Sequence, residues 1–368
     1  MKTMRIATTV TGHFTAPVPG GIIYAPINLA VAISEGLAAR GHEITFYAPK
    51  GSELKGVRVI DGGIVPLEQD GGHELYRKNK KTGAPVTRNL WDQYLLSLLY
   101  KDAMDGQYDL LHIHPIMRAL PFAHMITNVP TVYSLHDPIS DVKKFMYNLF
   151  DSPNQFYISA SNAQREPAPE LRYVDTVYHG INVDEFPFAE KADGGYLLYV
   201  GRMHKDKGTH LAIEAAKRAH RKLILVGSGG AGDYWDEFVK PHLSDQVEYV
   251  GPLSHEKLVP YYQNADALLM PTQVRESFGL VLAEAMACGT PIIAWNNGSI
   301  PEVVADGETG FVVSNLEEMV FAIDRVGNID RKDCRARVEK LFTSDIMIER
   351  YEQTFANIIE TFNKNKSL

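Results

Sequence analysis

Short apolar runs alternate with longer segments in which apolar residues recur at helical spacing, and this pattern occurs twice along the chain. Such alternation is typical of βαβ units, in which helices connect the strands of a parallel sheet. In the first half, the segment 26–40 is predicted to be the first long helix, with Gly41 as its stop. The predicted strands of this half are residues 4–10, 43–47, 110–113, 130–134 and 155–158.

The pattern restarts at residue 196, which predicts a second α/β domain. We place the linker at 182–195, because this segment contains a proline and a Gly-Gly pair. The amphipathic segment 343–362 predicts a long C-terminal helix that crosses back onto the first domain. The predicted strands of the second half are residues 196–200, 222–226, 247–250, 267–270 and 292–294.

Two segments of the first half, 61–88 and 137–154, are predicted to be long loops, which in compact domains are often functional. The first of them is rich in basic residues. A solvated loop is one interpretation of these charges, and contact with an anionic ligand or a membrane surface is the other. The basic residues are Arg77, Lys78, Lys80, Lys81 and Arg88.

Composition and charge narrow the class of protein. The chain has 368 residues, which exceeds the usual size of a domain with a single hydrophobic core and favours two domains. Of its residues, 45% are hydrophobic, as in globular proteins. The formal net charge of -8 argues against nucleic-acid binding, which needs a basic face. Because no run reaches about 18 apolar residues and the N-terminus is typical of a strand, we expect a cytoplasmic protein. Two cysteines, Cys288 and Cys334, form neither a disulfide framework nor a metal cluster.

The segment 271–291, PTQVRESFGLVLAEAMACGTP, carries the strongest chemical signal. It follows a predicted buried strand and opens a helix, with Ser277 as the expected N-cap. The unpaired N–H groups of a helix's first turn, together with the helix dipole, bind phosphate or sugar oxygens. Gly279 would allow a ligand to approach the backbone closely.

The glutamates of this segment, Glu276 and Glu284, raise the alternative of a glycosidase acid and base. Eight helical residues rise about 12 Å. This exceeds the roughly 5 to 9.5 Å that separates a glycosidase pair. Two carboxylates that hold different parts of one long ligand fit the spacing better, and the remaining alternative is a surface glutamate beside a helix that only packs.

A second signal is GRMHKDKG at 201–208, directly after the predicted strand 196–200. Arg202 and Lys207 are therefore expected at the carboxyl edge of a parallel sheet, where doubly wound folds bind ligands. Two cations there would neutralise a diphosphate without a metal and stabilise it as a leaving group. Solvated charges on a turn are the alternative.

Glycine-rich segments add weaker signals. Gly20 and Gly21 follow the first strand and would let the backbone approach a pyrophosphate or a sugar, although an ordinary turn has the same composition. The segment GGIIYA lacks the spacing of the dinucleotide fingerprint. GSGGAG at 227–232 matches that fingerprint loosely but lies in the wrong domain for a conventional NAD site, and an ordinary βα turn is equally compatible.

Three histidines of the first half follow or occupy predicted strands. His136, in SLHDP, comes after the strand 130–134 and is a candidate for contact with a bound sugar, although a lone histidine is usually structural. His112 and His114 alternate along a strand without a third metal ligand at a recognisable spacing. We interpret them as residues of the core or of a cleft wall.

Taken in order, these motifs resemble those of the family 4 retaining glycosyltransferases of the GT-B fold, over nearly the whole chain. The resemblance implies two Rossmann-like domains that face a cleft: an acceptor domain at 1–185, a donor domain at 186–345, and a C-terminal helix at 346–368 packed toward the first domain. The matching segments are PGG at 19–21 with ARGHEITFYAP, SLHD at 134–137, YHGINVDEF at 178–186, GRMHKDKG, VEYVGPLSHEKLVPYYQNADALLMP, the Glu-x7-Glu segment, and GSIPEVVADGETGFVV at 298–313.

The resemblance also implies roles for individual residues. Arg202 and Lys207 would bind the donor diphosphate, Glu284 the ribose hydroxyls, and Glu276 with the following backbone the transferred sugar. His136 would contact that sugar, the Gly20 and Gly21 loop would lie against the diphosphate, and the base would sit near 249–253. The implied donor-binding residues are Gly20, Gly21, Arg202, Lys207, Val250, Glu276, Phe278, Gly279, Leu280 and Glu284, and the implied catalytic residues are His136, Arg202, Lys207 and Glu276.

The reaction implied is transfer of a hexose, with retention, from a nucleotide diphosphate sugar to a hydroxyl acceptor. UDP is expected over GDP, and the acceptor would be a small molecule, a glycan or a lipid-linked sugar. No cofactor or metal is expected, since the donor is a substrate. The absence of a basic amphipathic helix weakens a lipid acceptor, although 141–150 could touch a membrane surface.

Two other classes of function remain open at this point. A nucleotide-sugar epimerase or a glycosyl phosphorylase would use the same fold, because fold does not fix the reaction. A catalytically silent nucleotide-sugar binding module is the third hypothesis, and the complete set of charged residues in the second half disfavours it.

Overall fold

The computed structural model describes residues 2–19, 24–68, 74, 80–126 and 128–366, and the chain divides into two units of alternating strands and helices. The fold predicted from the sequence, two doubly wound α/β domains, is confirmed. Unit 1 comprises Met1–Ala160, Arg165–Val177 and Asp345–Leu368, and unit 2 comprises Ser161–Gln164 and Tyr178–Ser344.

Unit 1 is built on a sheet of seven parallel strands. In chain order they are β1 (Arg5–Thr9), β2 (Glu43–Tyr47), β3 (Arg58–Ile60), β4 (Leu110–Ile113), β5 (Thr131–Ser134), β6 (Gln155–Ser159) and β7 (Tyr173–Thr176). Their order in the sheet is β3-β2-β1-β4-β5-β6-β7, so the direction of winding reverses between β1 and β4. Every residue of β4 and β5 is buried, as expected for central strands that are covered on both faces.

The helices of unit 1 cover this sheet and supply much of its core. Leu95, Leu96 and Leu99 of the second helix are fully buried, together with apolar residues of the strands. Of the helices that the structure describes, none is both long and apolar enough to cross a membrane. The described helices of unit 1 are α1 (Ala25–Ala39), α2 (Lys80–Met104), α3 (Ile116–Met125), α4 (Asp141–Leu149) and the C-terminal α12 (Ser344–Lys366), whose first residue belongs to unit 2.

Unit 2 contains six parallel strands and seven helices among its described residues. The sheet order is β10-β9-β8-β11-β12-β13, so the winding reverses between β8 and β11. The strands are β8 (Tyr196–Val200), β9 (Lys222–Val226), β10 (Val247–Gly251), β11 (Ala265–Met270), β12 (Ile292–Trp295) and β13 (Gly310–Val313). The helices are α5 (Thr209–Arg218), α6 (Asp233–Phe238), α7 (His255–Asn264), α8 (Leu280–Ala287), α9 (Ile300–Val303), α10 (Leu316–Arg325) and α11 (Arg331–Leu341).

The C-terminal helix α12 packs on unit 1, as predicted. Glu352 accepts a hydrogen bond from His42 at 2.9 Å and pairs with Arg40 at 2.8 Å. The Tyr351 hydroxyl lies 2.8 Å from the hydroxyl of Ser134, at the end of β5. These contacts fix the last helix against the turn between α1 and β2 and against the end of β5, although the paired residues are 217 or more positions apart in the sequence.

Both predicted long loops of the first half contain helices. In place of the loop 137–154, α4 begins after Ser140, whose hydroxyl caps it by accepting from the Lys143 N–H at 3.3 Å. The loop 61–88 ends early, because α2 begins at Lys80 and continues through Lys81 and Arg88. Arg88 pairs with Glu68 at 2.5 Å, and Arg77 and Lys78 lie outside the described residues.

The predicted linker lies inside unit 2. Apart from the short segment Ser161–Gln164, the chain passes from unit 1 to unit 2 between Val177 and Tyr178 and returns after Ser344. Ile181 forms a parallel bridge to Thr343, so the two passages lie side by side. The two bridged residues are far apart in the sequence, so local composition does not reveal the bridge. The boundary predicted between residues 185 and 186 falls several residues after the passage observed between Val177 and Tyr178.

Candidate functional site

The winding reversal of unit 2 places two sequence motifs next to each other. The loop after β8 carries Lys207 and the loop after β11 carries Glu276, and ligands of doubly wound sheets bind at the carboxyl ends of the strands where the order reverses. Gly208 brings these loops into contact. Its φ is 69°, and a Cβ atom at this position would lie 2.0 Å from the carbonyl oxygen of Pro271. Only glycine permits so close an approach.

The two motifs meet in an ion pair. Lys207 Nζ donates to Glu276 Oε2 at 2.8 Å, with side-chain exposures of 26% and 15%. Arg202, on the same loop as Lys207, is exposed, and its guanidinium pairs with no residue in the part of the chain that the structure describes. The ammonium group of Lys207 is therefore partly neutralised by Glu276, whereas the guanidinium of Arg202 is available to an anion.

The backbone of Glu276 is fixed by the segment before α9. Glu276 and Gly298 form a parallel bridge, and the carbonyl of Glu276 accepts from the Ser299 N–H at 3.0 Å. Gly298 has φ 66°, and a Cβ there would lie 2.3 Å from the Glu276 carbonyl oxygen. Ser299 Oγ also donates to the carbonyl of Phe278 at 3.1 Å. Glu276 thus stands on an extended strand-like segment rather than on the helix.

Helix α8 begins at Leu280, two residues after Phe278, with Gly279 in the left-handed conformation at the N-cap. The prediction of Ser277 as the N-cap is therefore wrong, because Gly279 occupies that position. The Ser277 hydroxyl is buried without a hydrogen-bond partner among the described residues. The N–H groups of Leu280 and Val281 donate to no described residue. The first turn of α8 thus presents backbone donors at the same sheet edge as the ion pair, as expected for an oxyanion-binding turn.

Glu284 lies one turn farther along α8 and is almost fully buried. Its Oε2 accepts from the Tyr262 hydroxyl of α7 at 2.8 Å. Burial raises the pKa of the Glu284 carboxyl, whereas His255 and the Tyr262 hydrogen bond act in the opposite direction. A buried carboxylate with one protein donor retains further lone pairs for ligand hydroxyls.

The loops after β9 and β10 complete this edge of unit 2. The Gly227 N–H donates to the Gly251 carbonyl at 3.0 Å, and the Tyr249 hydroxyl donates to the Gly227 carbonyl at 2.9 Å. The Met203 N–H, from the loop of Arg202, donates to the Ser228 carbonyl at 2.7 Å. Val250 is half-buried next to these contacts at the end of β10. The glycine-rich segment 227–230 therefore connects the Val250 strand to the Arg202 loop.

His136 belongs to unit 1, where it follows β5. Its Nε2 lies 2.7 Å from Nδ1 of His114, which follows β4, and the two rings are nearly coplanar at 13°. Burial lowers the pKa of His136 to about 4 and the pKa of His112, one strand position before Ile113, to about 3. These imidazoles are therefore neutral at pH 7.

The winding reversal of unit 1 carries a cavity of about 460 Å³ at the carboxyl ends of β1, β4 and β5. Arg118 in its wall pairs with the fully buried Asp92 at 2.6 Å and donates to Asn89 at 2.9 Å. Lys143 in the same wall pairs with Asp137 at 3.3 Å. Side chains that line the cavity include Tyr24, Gln93, His114, Arg118, His136 and Lys143.

Sequence reasoning identified most of the polar groups at these two edges but missed their partners. Tyr262, Gly298 and Ser299 lie in segments that match the family, but the sequence assigns no role to them individually. His114 was interpreted only as a wall or core residue, although it and His136 follow neighbouring strands, and that adjacency was a usable signal. Gly20 and Gly21 lie outside the described residues.

The described residues contain neither a cluster of potential metal ligands nor a reactive cysteine. No group of three or more His, Cys, Asp or Glu side chains in them is arranged to hold a metal ion. Cys288 and Cys334 are both buried, and burial raises the pKa of each thiol to about 12. Thiolates are the reactive form, so neither cysteine is a candidate nucleophile.

Two family models match this chain, each over one half. Residues 28–184 match glycosyltransferase family 4, and residues 181–340 match glycosyl transferases group 1. The matches meet within a few residues of the passage between the two units, and together they span most of the chain.

Named relatives and solved structures agree with these matches. The glycogen synthase of Mycobacterium tuberculosis is 28% identical over 318 residues, 76% of each chain. The structure of sucrose-phosphate synthase from Thermosynechococcus elongatus has a TM-score of 0.75 at 20% identity and covers 97% of this chain and 100% of that one. Anabaena HepE, in complex with UDP and glucose, has a TM-score of 0.68 at 19% identity and covers 96% and 100%. At these identities the two structures support the fold.

Proposed function

Because the chain is a family 4 glycosyltransferase with the GT-B fold, we propose that it transfers a hexose from a nucleotide diphosphate sugar to a hydroxyl group of an acceptor. The observation that carries this proposal is the Lys207 and Glu276 ion pair beside the first turn of α8. It combines a cation for phosphate, a carboxylate for sugar hydroxyls and free backbone donors at one sheet edge.

The diphosphate binds between the loop after β8 and the first turn of α8. Arg202, which is unpaired among the described residues, supplies a guanidinium for bidentate contact with phosphate oxygens. Lys207 turns from Glu276 toward the diphosphate, and the N–H groups of Leu280 and Val281 contribute neutral donors. These groups stabilise the charge that grows on the diphosphate as it leaves.

The carboxylates bind the two sugars of the donor. Glu276, released from Lys207, accepts hydrogen bonds from hydroxyls of the transferred hexose, next to the backbone of Phe278 and Gly279. Glu284 accepts from the ribose hydroxyls with the lone pairs that Tyr262 leaves open. The nucleobase lies near Val250, where the loops after β8, β9 and β10 meet.

The acceptor binds in the 460 Å³ cavity of unit 1, and His136 in its wall hydrogen-bonds the transferred sugar. A volume of this size holds one or two sugar rings and falls in the range of small-molecule sites. The imidazole of His136 is neutral at pH 7, so its contact with the sugar brings no charge to the site.

The reaction proceeds with retention on one face of the hexose. The bond between the anomeric carbon and the diphosphate oxygen breaks, the acceptor oxygen attacks from the same face, and the leaving phosphate takes the acceptor's proton. Glu276 is assigned to the hydroxyls of the transferred hexose rather than to its anomeric carbon, which favours this route over a covalent intermediate. Isolation of a glycosyl-enzyme adduct would show that the mechanism is wrong.

UDP-glucose is our first choice of donor, because HepE is described with UDP and glucose and shares this fold. The proposal is tested by a thermal-shift screen of UDP, GDP, ADP and their sugars, followed by transfer assays with the stabilising donor. A ligand that binds only the folded state raises the unfolding temperature in proportion to its affinity. We expect one nucleotide series to do so and its sugar to be transferred or slowly hydrolysed. Product formation that needs inorganic phosphate, or isomerisation without an acceptor, would instead indicate a phosphorylase or an epimerase.

A further inference from the structure

Two histidines of unit 1 form a direct hydrogen bond at the ends of neighbouring strands. His114 Nδ1 and His136 Nε2 are 2.7 Å apart, and their rings are inclined by only 13° with centroids 5.0 Å apart. Both side chains line the 460 Å³ cavity. An in-plane contact of this length requires that one nitrogen carries the hydrogen and the other offers its lone pair.

The hydrogen bond couples the chemistry of the two rings. A neutral imidazole has one N–H and one bare nitrogen. If His136 donates from Nε2, its Nδ1 can only accept; if His136 accepts at Nε2, its Nδ1 must carry the hydrogen. Whichever state His114 imposes, it decides whether Nδ1 of His136 carries a hydrogen.

His114 is itself held in place by its surroundings. Its ring lies against that of His112, with centroids 4.3 Å apart. His112 is fixed by a hydrogen bond of 2.7 Å to Ser134 Oγ, which lies 2.8 Å from the Tyr351 hydroxyl of α12. The pair therefore rests on a buried polar layer that reaches from β4 through β5 to the C-terminal helix.

We propose that His114 is a positioning residue that fixes the orientation and the tautomer of His136. The effect of this positioning on the reaction rests on the proposed function, in which His136 contacts the transferred sugar. The coupling of the two rings is a property of unit 1 and can be measured without any substrate.

The first test is nitrogen-15 NMR of histidine-labelled protein, with three variants. His114→Leu removes the partner at similar volume, and His114→Asn places an amide atom near the position of Nδ1. His124→Leu changes an exposed histidine of α3 as a control. We expect one neutral tautomer for His136 in the parent, in His114→Asn and in His124→Leu, and an average of two tautomers in His114→Leu. Identical His136 nitrogen shifts in the parent and in His114→Leu would overturn the proposal.

The second test measures transfer kinetics on the same variants. Loss of a group that orients a functional histidine commonly costs about 10- to 100-fold in activity. We expect kcat of His114→Leu to fall by about 10-fold or more, with partial rescue in His114→Asn and no change in His124→Leu. A parent-like kcat in His114→Leu, when His136→Ala is inactive, would contradict the proposed positioning role.

The two tests separate the failure of this inference from that of the proposed function. If His136→Ala transfers sugar as fast as the parent, the role of His136 in the reaction is wrong, and the NMR result still decides whether His114 fixes its tautomer. A fall in the unfolding temperature of His114→Leu without a change in the His136 spectrum would show that His114 has only a structural role.

Discussion

Lys207 Nζ and Glu276 Oε2 lie 2.8 Å apart although 69 positions separate them in the sequence. The contact exists because β8 and β11 are neighbours in a parallel sheet whose winding reverses between them. With 26% and 15% of the two side chains exposed, the pair holds the lysine at the position proposed for the diphosphate. In the proposed function, donor binding exchanges one anion for another at Lys207 without bringing an unpaired cation into the protein.

Replacement of Lys207 by alanine is expected to reduce kcat by about 100-fold or more, by analogy with removal of one preorganised oxyanion donor. Lys205→Ala is the matched control, because Lys205 is exposed on the same 3₁₀ turn, Lys205–Lys207. Steady-state kinetics of both variants check this prediction. Activity of Lys207→Ala within about twofold of the control would remove Lys207 from the mechanism.

Glu284→Gln is expected to separate stability from donor affinity. Burial raises the folded-state pKa of Glu284 above its unfolded value, so the ionised carboxylate lowers the stability as the pH rises through the folded pKa. Glutamine keeps an acceptor for the Tyr262 hydroxyl and removes the charge. We expect a higher unfolding temperature at about pH 8, with a difference that shrinks toward pH 5.

The same variant is expected to bind the donor about 10-fold or more weakly, because hydrogen bonds to a charged acceptor contribute about 1.5–3 kcal/mol. Glu256→Gln, an exposed position on α7, should change neither quantity. Thermal unfolding and calorimetry measure the two effects on one sample. A loss of stability at pH 8 together with unchanged affinity would contradict the account of Glu284.

Gly298→Ala tests the support of Glu276. The new Cβ would meet the Glu276 carbonyl oxygen at 2.3 Å, so the segment of Glu276 must move. Gly307→Ala is the control, because Gly307 also has a positive φ, 78°, but has open space around its Cβ position. Both alanines carry a backbone penalty of roughly 1–2 kcal/mol. Only Gly298→Ala should lower donor affinity, and equal affinities in the two variants would show that the bridge does not position Glu276.

Acidification is expected to destabilise the protein through His112. Burial lowers its pKa from 6.5 to about 3, so between these values the unfolded chain binds a proton that the folded chain does not. Stability attributable to this group is complete above the unfolded pKa of 6.5 and is lost progressively as the pH falls toward 3. At about pH 5 the loss is about 2 kcal/mol.

Denaturant unfolding at about pH 7.5 and pH 5 measures this loss in the parent and in His112→Gln, which keeps a polar partner for Ser134. The variant should lose less stability than the parent over this interval. If both lose the same amount, His112 does not titrate as its burial implies.

Chelation is expected to leave the transfer rate unchanged, because Arg202, Lys207 and the first turn of α8 together provide the positive charge and donors that a metal would supply to the diphosphate. The assay compares EDTA-treated enzyme with and without added Mg²⁺ or Mn²⁺. Loss of activity in EDTA that a divalent ion restores would show that the reaction needs a metal.

The central strands and the doubly wound class could be predicted from the sequence, because central parallel strands are short apolar runs that are buried on both faces. β2, β4 and β8 have the predicted boundaries, whereas β3, β7 and β13 were missed. All three are outer strands of their sheets. β3 and β7 have no fully buried residue and each contains a charged residue, so they lack a continuous apolar run, whereas β13 is apolar but begins with a glycine. Helix α4 was also missed, since Val142, Phe145 and Leu149 are exposed and give no inward apolar pattern.

The candidate site could be predicted only in part, for a related reason. Lys207, Glu276 and Glu284 stand in local motifs, and a motif shows which residue types are present. Their partners depend on which strands become neighbours, and this is not written in any local segment. Ser277 illustrates the limit: its residue type favours an N-cap, but its neighbour Glu276 pairs with Gly298, and α8 begins only after Gly279.

The central claim is that this chain recognises the diphosphate of a sugar nucleotide. Calorimetric titration of the parent protein with UDP, GDP and ADP, each compared with its nucleoside, tests it most directly. We expect one nucleoside diphosphate to bind at least about 100-fold more tightly than its nucleoside, as several charge-assisted hydrogen bonds to phosphate would give. Equal binding of nucleoside and diphosphate, or no heat with any of the three diphosphates, would contradict the claim.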